Sequence, residues 1–133
     1  MSDYLSTLPN FLLYLVIGIG LLVAFVVLYV VVTPQHELPL IRHGNVSASV
    51  VFSGTLLGFA IPLASAIAHS VNAIDLLWWG AIACIVQGVA SLVLRLFIRD
   101  LRGHIEADRV SVAITMASLK IAMGLLNAAA VVY

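Results

Sequence analysis

Lys120 is the residue whose chemistry fits its surroundings least. It stands in an apolar stretch that starts at Val110, roughly 16 Å from either end of a helix rising ~1.5 Å per residue. A charge at that depth costs at least ~2.5 kcal/mol even on insertion scales, and the stem is too short to carry the ammonium to water. No apolar stretch supplies a clear carboxylate at the same depth. The lysine must therefore face an internal cavity, meet a partner or headgroup, or give up its proton. One outcome is functional: an anion or proton site, or a contact to another subunit's acidic group. The other is structural: a neutral or partly hydrated lysine bonded to carbonyls and amides. Asn127 lies two turns away on the same helical face, and Gln87 sits in the middle of another apolar stretch. Each amide needs several hydrogen-bond partners, so both join Lys120 as intramembrane polar candidates. Ser53, Thr55, Thr115 and Ser118 could extend a polar seam, but hydroxyls in such helices are more often glue, worth ~0.6 kcal/mol per bond.

Other chemistry is thinly represented. His69 with Asp75, and His36 with His43, lack a third ligand at metal-binding spacing. There is no phosphate-binding glycine loop, no dinucleotide fingerprint, no H-E-x-x-H and no assignable Ser/His/Asp set. The expectation is a protein that is not an enzyme and carries no cofactor or metal. Cys84 is the single cysteine, so no disulfide forms within the chain. The formal net charge is zero, which provides no field to attract nucleic acid.

The elements that must position these residues follow from composition. Of 133 residues, 63% are hydrophobic and 9% are charged. A water-soluble domain of this size cannot hide so much apolar surface, whereas lipid accepts it. Four apolar runs, about 11–32, 46–68, 76–98 and 110–132, are each long enough to cross a hydrocarbon core of ~30 Å as an α-helix. Thr33-Pro34 ends the first. Asn45, Asp75, and Asp108 or Arg109 are the expected N-caps of the others. The first run is too long for a signal-peptide core, and Met1 to Asn10 holds no Lys or Arg, so it is expected to be retained. Pro62 marks a kink in the second span. Gly54-x-x-x-Gly58 and Gly80-x-x-x-Cys84-x-x-x-Gly88 are small-residue rows that let helices approach closely.

Arg42 lies in the first loop, and Arg95, Arg99, Arg102 and Arg109 flank or occupy the third. The positive-inside rule places both loops in the cytoplasm and both termini outside. Trp78, Trp79 and Tyr133 fall at the outer interface and Tyr29 near the inner one. The loop pair Arg102 and Glu106 is spaced for one helical turn. Arg99, Arg102 and Arg109 are the candidate contacts to anionic lipid or a cytoplasmic partner. Ile41-x-x-x-Asn45-Val46-Ser47 resembles Ile105-x-x-x-Arg109-Val110-Ser111, and Ala64 and Ala66 match Ala128 and Ala130 at the same offset. The chain thus reads as one all-α membrane domain, 1–133, made of two tandem two-helix repeats (1–69 and 70–133) in parallel orientation. Such halves are related by a pseudo-two-fold axis along the membrane normal.

The run Phe52-Ser53-Gly54-Thr55-Leu56-Leu57-Gly58-Phe59-Ala60-Ile61-Pro62-Leu63, with Trp79-Gly80-Ala81-Ile82-Ala83, Gln87 and Asn127-Ala128-Ala129, resembles the YjfL-like family of small bacterial inner-membrane proteins. The resemblance covers nearly the whole chain. It implies four spans in two paired-helix units, a bacterial inner membrane, and no known reaction. It also implies company: a phage-shock-type peripheral protein or a channel-like membrane protein. Lys120 lies outside the resembling motif. The function expected from all this is a non-enzymatic, homo-oligomeric accessory or scaffold in envelope maintenance. The alternative is a small oligomeric channel or transporter with Lys120 selecting an anion.

Overall fold

Apolar runs of this length have one solution in lipid, a helix whose backbone polar groups are satisfied internally. The computed structural model describes residues 2–32, 37–98 and 100–131. It contains α1 (Ser2–Val32), α2 (Glu37–Arg42), α3 (Val46–His69), α4 (Ala73–Phe97), α5 (Leu101–Glu106) and α6 (Val110–Ala130). Four are long and apolar enough to cross a membrane: α3, α4, α6 and the Leu5–Val32 part of α1. Thr33-Pro34, His36, Arg99 and Tyr133 lie outside the described residues.

The helix ends follow local chemistry. Asn45 caps α3 as expected, its side-chain Oδ1 accepting from the Ala48 amide at 2.8 Å. The cap of α4 is Asn72, not Asp75. Asn72 Oδ1 accepts from the Asp75 amide at 2.8 Å, while the Asp75 carboxylate reaches back to the Val71 amide at 3.2 Å. This reciprocal arrangement lets a residue one turn inside look like the cap. Arg109, one of the two residues expected there, holds the cap position of α6 without a side-chain cap bond, and the other, Asp108, bonds to α3 instead. Its carboxylate accepts from the Ser47 amide at 2.8 Å, and this bond holds its carboxyl below the usual carboxylate range. The first helix begins at Ser2, well before the run that starts at residue 11, and continues through Pro9. α3 likewise continues through the buried Pro62 as one helix.

α3 is the centre of the bundle. It packs along α6 and also touches α4 and α1, whereas α1 packs against α3 and α4. The α3–α6 seam is close enough to exclude side chains. A Cβ at Gly54 would lie 2.5 Å from Ala117 Cα, and one at Gly58 would lie 2.7 Å from the Lys120 carbonyl oxygen. Gly124 abuts the Gly58 carbonyl in the same way. The row Gly54-x-x-x-Gly58 therefore packs internally. The second row divides: Gly80 meets Leu21 of α1, but nothing lies within 4 Å of a Cβ at Gly88. Two apolar clusters fill the bundle. One holds Phe25, Phe59, Leu63, Ala66, Leu76 and Ala83. The other joins Ala48 and Val51 of α3 to Leu101, Ile105, Ala113 and Met116.

Both short helices sit at the arginine-bearing end, where the loops interlock. Asn45 Nδ2 donates to the Ile105 carbonyl at 2.9 Å, and the Ser47 amide donates to Asp108 in the same sense, from the first loop to the third. Arg102 and Glu106 form the expected one-turn ion pair at 2.9 Å within α5, an exposed contact worth ~0.2–0.5 kcal/mol. The offset that carries Ile41 to Ile105 also carries the bounds of α2 onto those of α5 and the start of α3 onto that of α6. Gly44 and Asp108, matched by that offset, both hold positive φ, 84° and 57°. Such backbone favours Gly and tolerates Asp.

Candidate intramembrane charge site

A helical side chain leans toward the N-terminus of its helix. Lys120 therefore extends toward the end where α6 begins, the arginine-bearing end. It is 1% exposed. Its Nζ donates to Thr55 Oγ1 of α3 at 2.7 Å and makes a longer contact, 3.4 Å, to the Tyr29 hydroxyl of α1. The ammonium also lies 4.9 Å from the Tyr29 ring centroid, within cation–π range. Thr55 can accept because its own hydrogen goes to the Val51 carbonyl at 3.0 Å.

Tyr29 passes the connection on. Its hydroxyl donates to Glu37 Oε1 at 2.6 Å. The ring is fixed by neighbours: Phe25 stacks on Phe59 at 4.2 Å and on Tyr29 at 6.3 Å, and Phe52 tilts against Tyr29 at 6.3 Å. Glu37 opens α2, which folds back under the bundle, and it is only 4% exposed. Burial pushes the Glu37 carboxyl above its ordinary value of 4.5, against the lowering effects of the Tyr29 hydrogen bond, the Lys120 charge and the Arg95 charge. Its Oε2 has no hydrogen-bond partner among the described residues. The acidic group that Lys120 reaches, through the Tyr29 hydroxyl and not by a direct ion pair, thus comes from a loop helix, not from a span, and four helices contribute to the site.

Gln87 stands beside this chain without joining it. Its Nε2 donates to the Gly58 carbonyl at 2.8 Å and lies 3.4 Å from the Lys120 carbonyl, pinning α4 across the α3–α6 seam. Asn127 is not brought to the site, and its Nδ2 is buried without a partner among the described residues. Thr115 and Ser118 donate to carbonyls four residues back in α6, Ser111 at 2.9 Å and Ile114 at 2.8 Å, so they satisfy their own helix. Thr55 is the hydroxyl that sequence reasoning undervalued. A cavity of about 300 Å³ opens between α1 and α4, lined by Phe25, Tyr29, Cys84, Gln87, Ser91 and Arg95 among others.

The basic loop residues are accessible. Arg109 Nη1 meets His104 Nδ1 at 2.9 Å, and Arg102 is partly neutralised by Glu106. Arg99 lies outside the described residues. Among the described residues no three His, Cys, Asp or Glu side chains gather as metal ligands. What Lys120, Tyr29 and Glu37 offer chemically is a hydrogen-bonded line from the middle of α6 to the arginine-bearing end, with a phenol between an amine and a carboxyl.

Residues 3–131 match the family described as "Domain of Unknown Function (DUF350)". The chain is 36% identical over 125 residues to "UPF0719 inner membrane protein YjfL" of Escherichia coli strain K12, covering 94% of this chain and 95% of the relative. The protein of that name in Escherichia coli O157:H7 matches at the same 36% and the same coverage. No solved structure matches.

Proposed function

We propose that this chain, which belongs to the DUF350 family of small multi-pass inner-membrane proteins, is a non-enzymatic, proton-responsive membrane protein. The observation that carries this reading is the buried line Lys120–Tyr29–Glu37. Burial disfavours the Glu37 charge more than Lys120 offsets it, so gain or loss of one proton changes what the interior tolerates. The element biased is α2, which is tied to the bundle through Glu37. The exposed Arg42, Arg102 and Arg109 at the same end would present that change to anionic lipid or a peripheral partner.

This gives the accessory role in envelope maintenance a physical input. It keeps homo-oligomeric assembly, and a partner of the phage-shock type or a channel-like membrane protein, as parts of the proposal. It also takes the chain as two tandem parallel hairpins with both termini outside. The common offset of the helix bounds and of Gly44 and Asp108 supports the repeat, and the arginine distribution supports the orientation. A transport reading rests on the cavity between α1 and α4, which reaches Tyr29. Because Lys120 is closed off inside one chain, the species this site favours is a proton and not an anion.

Infrared difference spectra between acid and neutral pH, taken on protein in lipid nanodiscs, test the proposal. A carboxylic band should vanish in Glu37→Gln and move in Lys120→Met. A Glu37 band that titrates like a water-exposed carboxyl, indifferent to Lys120→Met, would refute it.

A further inference from the structure

Apolar surface on a membrane helix needs no protein to cover it, so exposure alone identifies no interface. One groove here is distinguished by its counterpart in the other half of the chain. In the first half, the groove between α1 and α3 is lined by Leu21, Phe25, Tyr29, Thr55 and Phe59, and α4 covers its Leu21–Phe25–Phe59 part, leaving the cavity at Tyr29 open. Gly80 of α4 meets Leu21, Gln87 bonds to Gly58, and Leu76 and Ala83 join Phe25 and Phe59 in one cluster. The offset that carries Ile41 to Ile105 carries these groove residues onto Ile85, Val89, Val93, Leu119 and Met123. Those residues do line a groove between α4 and α6, of about 630 Å³, and among the described residues no helix fills it.

The same offset identifies what would fill it. The counterparts of Leu76, Gly80, Ala83 and Gln87 are Leu12, Val16, Ile19 and Val23 of α1. All four point outward, 49–64% exposed. A closed two-fold between the halves would lay this face of α1 in the α4–α6 groove. Instead α1 packs on α3 and α4, so within one chain both the groove and the face that matches it are left over. We propose that they belong together between copies: the Leu12–Val23 face of α1 of one chain seats in the α4–α6 groove of the next. This repeats between chains the contact that α4 makes within one. Groove and face are different surfaces, so the contact is heterologous and propagates head to tail until the rotation closes a ring.

The inference does not depend on Glu37 binding a proton. Matched positions give the test. Val16 should face Ile85 of a neighbouring chain, as Gly80 faces Leu21, and Val23 should face Ala122, as Gln87 faces Gly58. In a Cys84→Ala background, two differently tagged chains carrying Val16→Cys and Ile85→Cys are co-expressed and oxidised in membranes. A disulfide-linked dimer bearing both tags is expected, as it is for Val23→Cys with Ala122→Cys, whereas each variant alone should give none. All four positions lie on the surface, so folding is not at stake, and the Glu37→Gln chain should cross-link equally well. Absence of mixed cross-links would overturn the proposal. So would efficient linking of Val16→Cys to itself, or a monomer by native mass spectrometry in nanodiscs.

Discussion

Replacing Lys120 with Met removes the ammonium while keeping most of the side-chain volume, so the loss can be assigned to charge and hydrogen bonds. The Thr55 bond at 2.7 Å is the short one, and a bond to a charged group contributes ~1.5–3 kcal/mol. Thr55 is not orphaned, because it still donates to Val51. Tyr29 likewise still donates to Glu37. What the substitution strands is the Glu37 carboxyl, buried with Arg95 as its remaining nearby cation. Breaking a buried pair from one side costs ~3–5 kcal/mol in total, so the expected loss lies in that range near neutral pH. It should shrink in acid, where Glu37 takes up a proton. Adding Glu37→Gln to Lys120→Met should then recover part of the loss. The assay is reversible unfolding of the four proteins of this cycle in lipid–detergent bicelles, read by circular dichroism and by protease resistance. Coupling between the two sites of at least ~1 kcal/mol is expected. Strict additivity, within the ~0.5 kcal/mol found for independent sites, would refute the claim that Glu37 is the counter-ion.

Gly58→Ala places a methyl 2.7 Å from the Lys120 carbonyl oxygen and 3.1 Å from Gln87 Oε1. Backbone cannot yield as a side-chain tip does, so destabilisation of ~1–3 kcal/mol or more is expected in the same unfolding assay. Gly88→Ala meets nothing within 4 Å and should stabilise by ~0.4–1 kcal/mol through a less flexible unfolded chain. Docking of α2 should depend on pH with a defined sign. Because burial raises the Glu37 carboxyl above 4.5, the docked form holds its proton more tightly than the released form. Its contribution is therefore complete below 4.5 and fades as pH rises through the raised value, with Tyr29, Lys120 and Arg95 as the facing groups. Hydrogen exchange at α2 amides, corrected for intrinsic rates, should be slowest in acid and lose that dependence in Glu37→Gln.

The four spans and the close-packed glycines were legible because length, apolarity and small-residue spacing are local properties. Asn45 was legible as a cap for the same reason. Asn72 and Asp75 are both capping types one turn apart and hydrogen-bond to each other's neighbourhood, so composition alone does not say which is the cap. Lys120 announced a site by its depth, but its partners did not announce themselves. Tyr29 resembles an interface aromatic until its hydroxyl is seen to reach Glu37. Glu37 resembles a loop carboxylate until α2 is seen to turn back. The available signal was a lone Glu opening the otherwise apolar Leu38-Pro39-Leu40-Ile41. Gly88 shows the converse: spacing suggested packing, and the residue faces the cavity between α1 and α4 with nothing within 4 Å of a Cβ.

The seam between α3 and α6 also bears on how the protein is made. Gly54 and Gly58 offer α3 little packing surface until α6 lies against them, and α6 is synthesised after α4 and α5. Through that interval α3 carries an unfilled backbone face, and Glu37 and Tyr29 wait without their ammonium. The bundle core is therefore completed by long-range contact and not hairpin by hairpin, and such contacts form late. A chain stalled or cut before α6 would show a bilayer protease or insertase an open glycine row and an unneutralised acid. These are two marks by which an unfinished molecule differs from a finished one.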